Sequence, residues 1–276
     1  MALAALAQSQ VRVPRTVEAG SAFSIPTSGS GKATLYIVGP SQVLRHDVQL
    51  GETVNFTSGE LHSAGHYLAI LAGDSSAETS EFEVVAAHPP ATLSFLARPS
   101  RLAVDLPDAI SGVVYVFDIF GNLSLEPEQV TFQLSGNGGP VQTRSATTRN
   151  GVAWVKMNSS PKAGAAKLEA RVGSVTESRI LEQVPGEPCK LNVSARRTGQ
   201  RVQLETAPIN DCRGNAVPDG TVVTFTETSS DGTQATVDVP LKRGVAKTDM
   251  PAYQGATISV ATGLVMGNVV QVGDAR

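Results

Sequence analysis

One motif is written twice in this chain, and that repetition limits what it can fold into more than any other feature. Asp118, Gly121, Asn122, Val130, Thr131, Phe132, Gly151, Val152 and Ala153 recur, each displaced by 93 residues, as Asp211, Gly214, Asn215, Val223, Thr224, Phe225, Gly244, Val245 and Ala246. Self-similarity at a fixed long period marks tandem units, each with its own core. A fainter upstream copy aligns Ala64-Gly65-His66-Tyr67-Leu68-Ala69, through Gly73 to Val84, with Ala165-Ala166-Lys167-Leu168-Glu169-Ala170, through Gly173 to Val184. The 276 residues therefore divide into three modules, 11–87, 88–184 and 185–276. Residues 1–10 are left as an export-signal remnant or a disordered N-terminus. Prolines in Ala87-His88-Pro89-Pro90 and Val184-Pro185-Gly186-Glu187-Pro188 set the internal boundaries, because proline fixes φ and cannot donate to a sheet ladder. Linkers this short imply a semi-rigid rod.

The expected fold class is all-β. No stretch keeps apolar residues at helical spacing for a dozen positions, whereas short alternating runs rich in Val, Thr, Leu and Phe are frequent. The clearest strands are Ala33–Val38, Gly65–Leu71, Ser80–Val85, Ala91–Ala97, Gly112–Asp118, Gln129–Ser135, Val152–Asn158 and Lys167–Val172. They continue as Leu191–Arg196, Arg201–Pro208, Thr221–Glu227, Gly244–Asp249, Ala256–Thr262 and Asn268–Val272. Gly-rich or Asx-Gly pairs such as Asn150-Gly151, Asp219-Gly220 and Asp231-Gly232 supply the positive-φ residues of tight reversals. Strands at this spacing suggest three antiparallel sandwiches.

Net charge is −3 with the basic residues dispersed, so the electrostatic footprint of a nucleic-acid or anionic-membrane partner is lacking. No run of about 20 apolar residues is present to form a membrane-spanning helix. Ala5-Leu6-Ala7 has the small-x-small form of a signal-peptidase site, although the apolar run before it is short and lacks a basic start.

The run Val114-Tyr115-Val116-Phe117-Asp118-Ile119-Phe120-Gly121-Asn122 is followed by Val130-Thr131-Phe132. Asp211-Cys212-Arg213-Gly214-Asn215, Val223-Thr224-Phe225 and Gly244-Val245-Ala246 repeat it, and together they resemble the bacterial immunoglobulin-like (Ig-like) repeats of the invasin/intimin type. The resemblance covers about two-thirds of the chain; the first module is only generically similar. It implies tandem Ig-like sandwiches in a secreted, periplasmic or surface-associated protein, used for spacing or for protein or glycan contact. Within these residues neither the β-barrel anchor nor the lectin-like tip of displayed members is found, so adhesin function does not follow from the motif alone.

The repeat has a local physical reading as a turn. Asp118 and Asp211 accept from backbone N–H groups two residues on, while Gly121 and Gly214 take positive φ. Val and Phe of Val-Thr-Phe then face the core. Tyr67, after Ala64-Gly65-His66, is a candidate tyrosine corner pinning a turn in the first module.

Cys189 and Cys212 are the only cysteines, and both lie in the third module. Their second-module equivalents, about Ala91 and Ile119, are both non-cysteine, as expected of a pair gained or lost together. A disulfide would stabilise a small domain by about 3 kcal/mol in the chain-entropy model and points to an oxidising compartment. Two free thiols in a reducing compartment are the alternative.

No catalytic constellation emerges, and no cofactor is expected. His46, His62, His66 and His88 cluster in or beside the first module, but His62 and His66 flank a turn rather than share a helical face, so a zinc set is not supported. No Gly-x-Ser-x-Gly elbow is present. Gly136-Asn137-Gly138-Gly139 lacks the Lys-Ser/Thr of a phosphate loop. Asp118 with Asn122, or Asp211 with Asp219, offers oxygen ligands of the kind calcium takes, but these residues read as plain Asx turns, and no metal site is assigned. Trp154 is the sole tryptophan, and its third-module counterpart is Lys247. It is therefore placed outward, as a candidate contact for protein or glycan, or as a side chain covered by the neighbouring module or packed on a sheet face. The functional expectation is a non-catalytic exported Ig-like array, monomeric, with a structural, spacer or adhesion-type role toward an unidentified protein or glycan at the cell surface or periplasm. The alternative is a carbohydrate-binding accessory protein or the non-catalytic part of a secreted enzyme system.

Overall fold

The computed structural model describes residues 10–73, 77–136, 139–251 and 253–272. The expected export-signal segment lies almost wholly outside them. All regular structure is strand, and no helix among the described residues is long and apolar enough to cross a membrane.

Module one holds β1 (Gln10–Val11), β2 (Thr16–Glu18), β3 (Phe23–Ser28), β4 (Lys32–Val38), β5 (Val43–Gln49), β6 (Thr53–Phe56), β7 (Gly65–Gly73) and β8 (Ala77–Val85). Module two holds β9 (Thr92–Arg98), β10 (Arg101–Ala103), β11 (Ile110–Phe117), β12 (Gln129–Gly136), β13 (Gln142–Thr147), β14 (Val152–Met157), β15 (Gly164–Val172) and β16 (Val175–Val184). Module three holds β17 (Val193–Thr198), β18 (Arg201–Thr206), β19 (Val222–Thr228), β20 (Gln234–Pro240), β21 (Lys247–Pro251), β22 (Thr257–Thr262), β23 (Val265–Met266) and β24 (Val270–Gln271).

Each module opposes a three-stranded sheet to a five-stranded one. The small sheets run β1-β3-β6, β14-β11-β9 and β17-β18-β21. The large ones run β2-β8-β7-β4-β5, β10-β16-β15-β12-β13 and β20-β19-β22-β23, with β24 also on β22. Pairing is antiparallel except where β2 joins β8 and β10 joins β16. Three separate apolar clusters fill the sandwiches. Alternation places Val130, Phe132, Val223 and Phe225 fully inside, with Thr131 and Thr224 turned away, as the repeat requires. The small residues of Gly-Val-Ala also have a reason: Ala153 and Ala246 are buried against the opposing sheet. Before them, Asn150-Gly151 and Arg243-Gly244 each take two consecutive positive φ values, the geometry of a type I′ reversal.

The alignment of module one needs a correction. Gly65 and Gly164 open β7 and β15 with matching positive φ, so Ala64 is equivalent to Ala163, not to Ala165. The two-residue difference preserves which face each side chain occupies, and for that reason alternation alone did not expose it.

Candidate functional site

The paired Asp-x-x-Gly-Asn loops sit at the two module junctions. In the first, Asp118 Oδ1 accepts the backbone N–H groups of Phe120 (2.9 Å) and Asn122 (2.8 Å), which closes the expected Asx turn. Its other oxygen, Oδ2, accepts the N–H of Ala87, in the linker from module one, at 2.8 Å, and that of the Asn122 side chain at 2.8 Å. Asn122 then reaches across to module one: its Nδ2 donates to the His62 carbonyl (2.7 Å) and its Oδ1 accepts from Ala64 N–H (2.8 Å).

The second junction repeats this set atom for atom. Asp211 Oδ1 accepts from Arg213 and Asn215, and Oδ2 from Gly186 N–H (2.9 Å) and Asn215 Nδ2 (2.8 Å). Asn215 Nδ2 donates to the Pro161 carbonyl (3.1 Å), and Asn215 Oδ1 accepts from Ala163 N–H (3.0 Å). Each following module thus grips the linker with its aspartate and the preceding module's loop with its asparagine. Both aspartates are buried. Burial alone would raise their carboxyls, yet the hydrogen bonds they accept hold both below the ordinary carboxylate range.

The gripped loops are themselves braced. In module one the buried Tyr67 hydroxyl donates to the Ser63 carbonyl at 2.8 Å, between the two residues that Asn122 holds, so the tyrosine pins the turn as expected. In module two the equivalent position is Ala166, and Gln183, hydrogen-bonded to Ser160, braces the loop instead.

The residue before the motif glycine differs between junctions. Phe120 lies over Gly20, which takes φ 76°, and a Cβ there would overlap the ring. Gly20 corresponds to Asp105, which follows β10 as Gly20 follows β2 and has φ 59°. At the second junction Asp105 meets Arg213 in an ion pair, Nε to Oδ2 2.6 Å, and Lys162 Nζ donates to the Arg213 carbonyl at 3.1 Å. One junction is sealed by aromatic contact and the other by charge. Sequence reading missed Gly20, Asp105, Phe120, Arg213 and Lys162 as partners; the one available signal was an aromatic beside a turn.

Cys189 and Cys212 are bonded to each other, 23 residues apart. The bridge ties the start of module three to the loop that carries Asp211, and Cys189 N–H also donates to the Asn210 carbonyl at 3.0 Å. Ala91 occupies the same place, donating to the Phe117 carbonyl at 2.9 Å, and Ile119, where Cys212 has its equivalent, is 74% exposed.

Beside the first clamp a cleft of about 300 Å³ is bounded by Gly65, Val84, His88, Leu123 and Leu125. The His88 imidazole at its edge is engaged by a carboxylate, with Nε2 3.1 Å from Glu126 Oε2. His46 lies near Glu60, His62 against Gln42 and His66 against Glu83, so the histidines face separate partners. Among the described residues no group of three or more His, Cys, Asp or Glu is placed to hold a metal. The Asp219 considered with Asp211 is engaged instead by Gly244 N–H at 3.1 Å. Trp154 is 64% exposed on the outer face of β14, so the neighbouring modules do not cover it.

No model of a known protein family matches the sequence, and no curated protein matches it. Solved structures do. The Escherichia coli adhesin FdeC aligns over 95% of this chain and 95% of its own, with TM-score 0.61 and 14% identity. InvD of Yersinia pseudotuberculosis aligns over 97% and 98%, with TM-score 0.55 and 12% identity. At such identities the likeness speaks for fold: this chain has the tandem Ig-like sandwich architecture, and these two bacterial proteins share its fold.

Proposed function

We propose that the chain is a non-catalytic, exported array of Ig-like modules that holds its members at fixed relative orientation and serves an adhesion-type, protein-binding role. The repeated Asp–Asn clamp carries this reading, because two junctions that differ in side-chain contacts keep the same set of hydrogen bonds to the linker and to the preceding module's loop. A chain of freely tethered domains has no need of such a set. Export is supported by the Cys189–Cys212 bridge, since such bonds persist in oxidising compartments. The fold shared with FdeC and InvD supports the adhesion-type role.

Two measurements test the reading. Fractionation with a thiol count on protein from its own cell is expected to find the bridged form outside the cytoplasm, and free thiols in a cytoplasmic protein would overturn export. Beads coated with the full chain are expected to adhere to a protein-coated surface above uncoated beads; equal retention would remove the adhesive role and leave a spacer.

A further inference from the structure

The small sheet of module two differs from its counterparts on the face turned to solvent. Register places Trp154, Val113 and Leu96 side by side across β14, β11 and β9. Trp154 is 64% and Leu96 51% exposed. On one side the next outward row is Val152, Tyr115 and Ser94, with Tyr115 36% exposed. On the other side it is Lys156, Ser111 and Arg98.

The neighbouring modules show that the fold does not require this. In module three the row in the same place is Lys247, Glu205 and Ser194, and Lys247 Nζ lies 2.8 Å from Glu205 Oε1. In module one the outward positions on β3 and β6 include Ser24, Pro26, Thr53 and Asn55. An apolar row left in water is unfavourable for the free chain, and clustered exposed apolar side chains on an otherwise polar surface mark contact sites. Arg98 and Lys156 have no carboxylate partner among the described residues, and the three rows contain no acidic side chain.

We propose that this face docks a protein segment that lays apolar side chains over Trp154, Val113 and Leu96 and sets a carboxylate against Arg98 and Lys156. Charge complementarity selects this occupant. A second copy apposed through the same face would bring both basic rows into one interface with no acid to offset them. A sugar chain would leave its hydroxyls facing Val113, Leu96 and Val152, with only Ser94, Ser111 and the Tyr115 hydroxyl as neutral polar groups, whereas apolar protein side chains match those surfaces. The proposal rests on the protein-binding reading above and names the surface that does the binding.

The test is selection of a random 12-residue peptide library, displayed on phage, on the intact chain. Enriched peptides are expected to combine aromatic or branched apolar residues with Asp or Glu. Their synthetic versions are expected to lose roughly tenfold or more in affinity for Trp154→Ala, as for a central aromatic anchor, and to lose affinity for Arg98→Glu/Lys156→Glu. These side chains point to solvent, so unchanged melting confirms that each variant is folded. No enrichment, peptides without acidic bias, or affinity indifferent to Trp154 overturns the proposal. So does Trp154-dependent retention on alginate, a uronic-acid polysaccharide, or Trp154-dependent self-association in sedimentation. If coated beads still adhere when Trp154→Ala is used, the docking face falls while the adhesion-type role stands.

Discussion

A single aspartate–asparagine pair does two jobs at each junction, and the two substitutions separate them. Asp118 closes its own turn and anchors the linker at Ala87, whereas Asn122 holds the His62-Ser63-Ala64 loop of module one. Asp118→Ala leaves the part-buried N–H groups of Ala87, Phe120 and Asn122 without their acceptor and is expected to cost module two roughly 2–4 kcal/mol in denaturant unfolding. Asn122→Ala should cost module two far less, about 1 kcal/mol, while loosening the junction. Both aspartates have lowered carboxyls, so their contribution is present above the unfolded carboxyl range and is lost as pH falls through the lower folded value. Acid titration below about pH 4 should therefore weaken the junctions, and less so in Asp118→Ala, which has already lost the linkage. Glu227 runs the other way. It is buried on β19 with neither oxygen well paired, and burial raises its carboxyl against a weak opposing contact from the Tyr253 backbone. A raised carboxyl favours the protonated folded form, so stability declines as pH rises from the unfolded value through the folded one. Glu227→Gln is expected to stabilise module three by about 1–3 kcal/mol at pH 7 and by less at pH 4, read from urea midpoints.

Strands whose alternation packs an apolar face into a core were legible in the sequence; those with little or no buried apolar face were not. β5, β13 and β20 show exposed or half-exposed residues along nearly their whole length, and β16 is buried only at its far end, so their apolar signal is weak although their pairing is regular. β3 was hidden by Pro26, which sits in the middle strand of its small sheet where its register with β6 ends at Thr53. The aspartate, glycine and asparagine of the motif were legible as a turn, and the cysteine pair as a candidate bridge. The clamp was not, because Asn122 and Asn215 bind backbone atoms, and the gripped loops His62-Ser63-Ala64 and Pro161-Lys162-Ala163 share little side-chain chemistry. A carbonyl leaves no trace in the sequence that carries it. The bridge fixes the loop bearing Asp211 to the strand entering module three, so reduction, or Cys189→Ser/Cys212→Ser, is expected to lower that module's stability by about 3 kcal/mol and leave modules one and two unchanged in the same melt.

Across the whole molecule, the repeat that defines the modules also sets how they join. Each linker amide and each loop preceding β7 or β15 is held by the module that follows, and Phe120 on Gly20 or Arg213 with Asp105 closes the remaining gap. Linker, loop and sealing contact thus join the modules at three points per junction, and the Trp154 face stands clear of them. The most direct test is the distance distribution between spin labels on Val43→Cys and Ile180→Cys, both exposed sites in modules one and two, with the native cysteines bridged and unreactive. A narrow distribution in the otherwise unaltered chain that broadens in Asp118→Ala/Asn122→Ala is the expected result. A broad distribution in both, or one the double substitution leaves unchanged, would contradict the clamp as the element that orients the array.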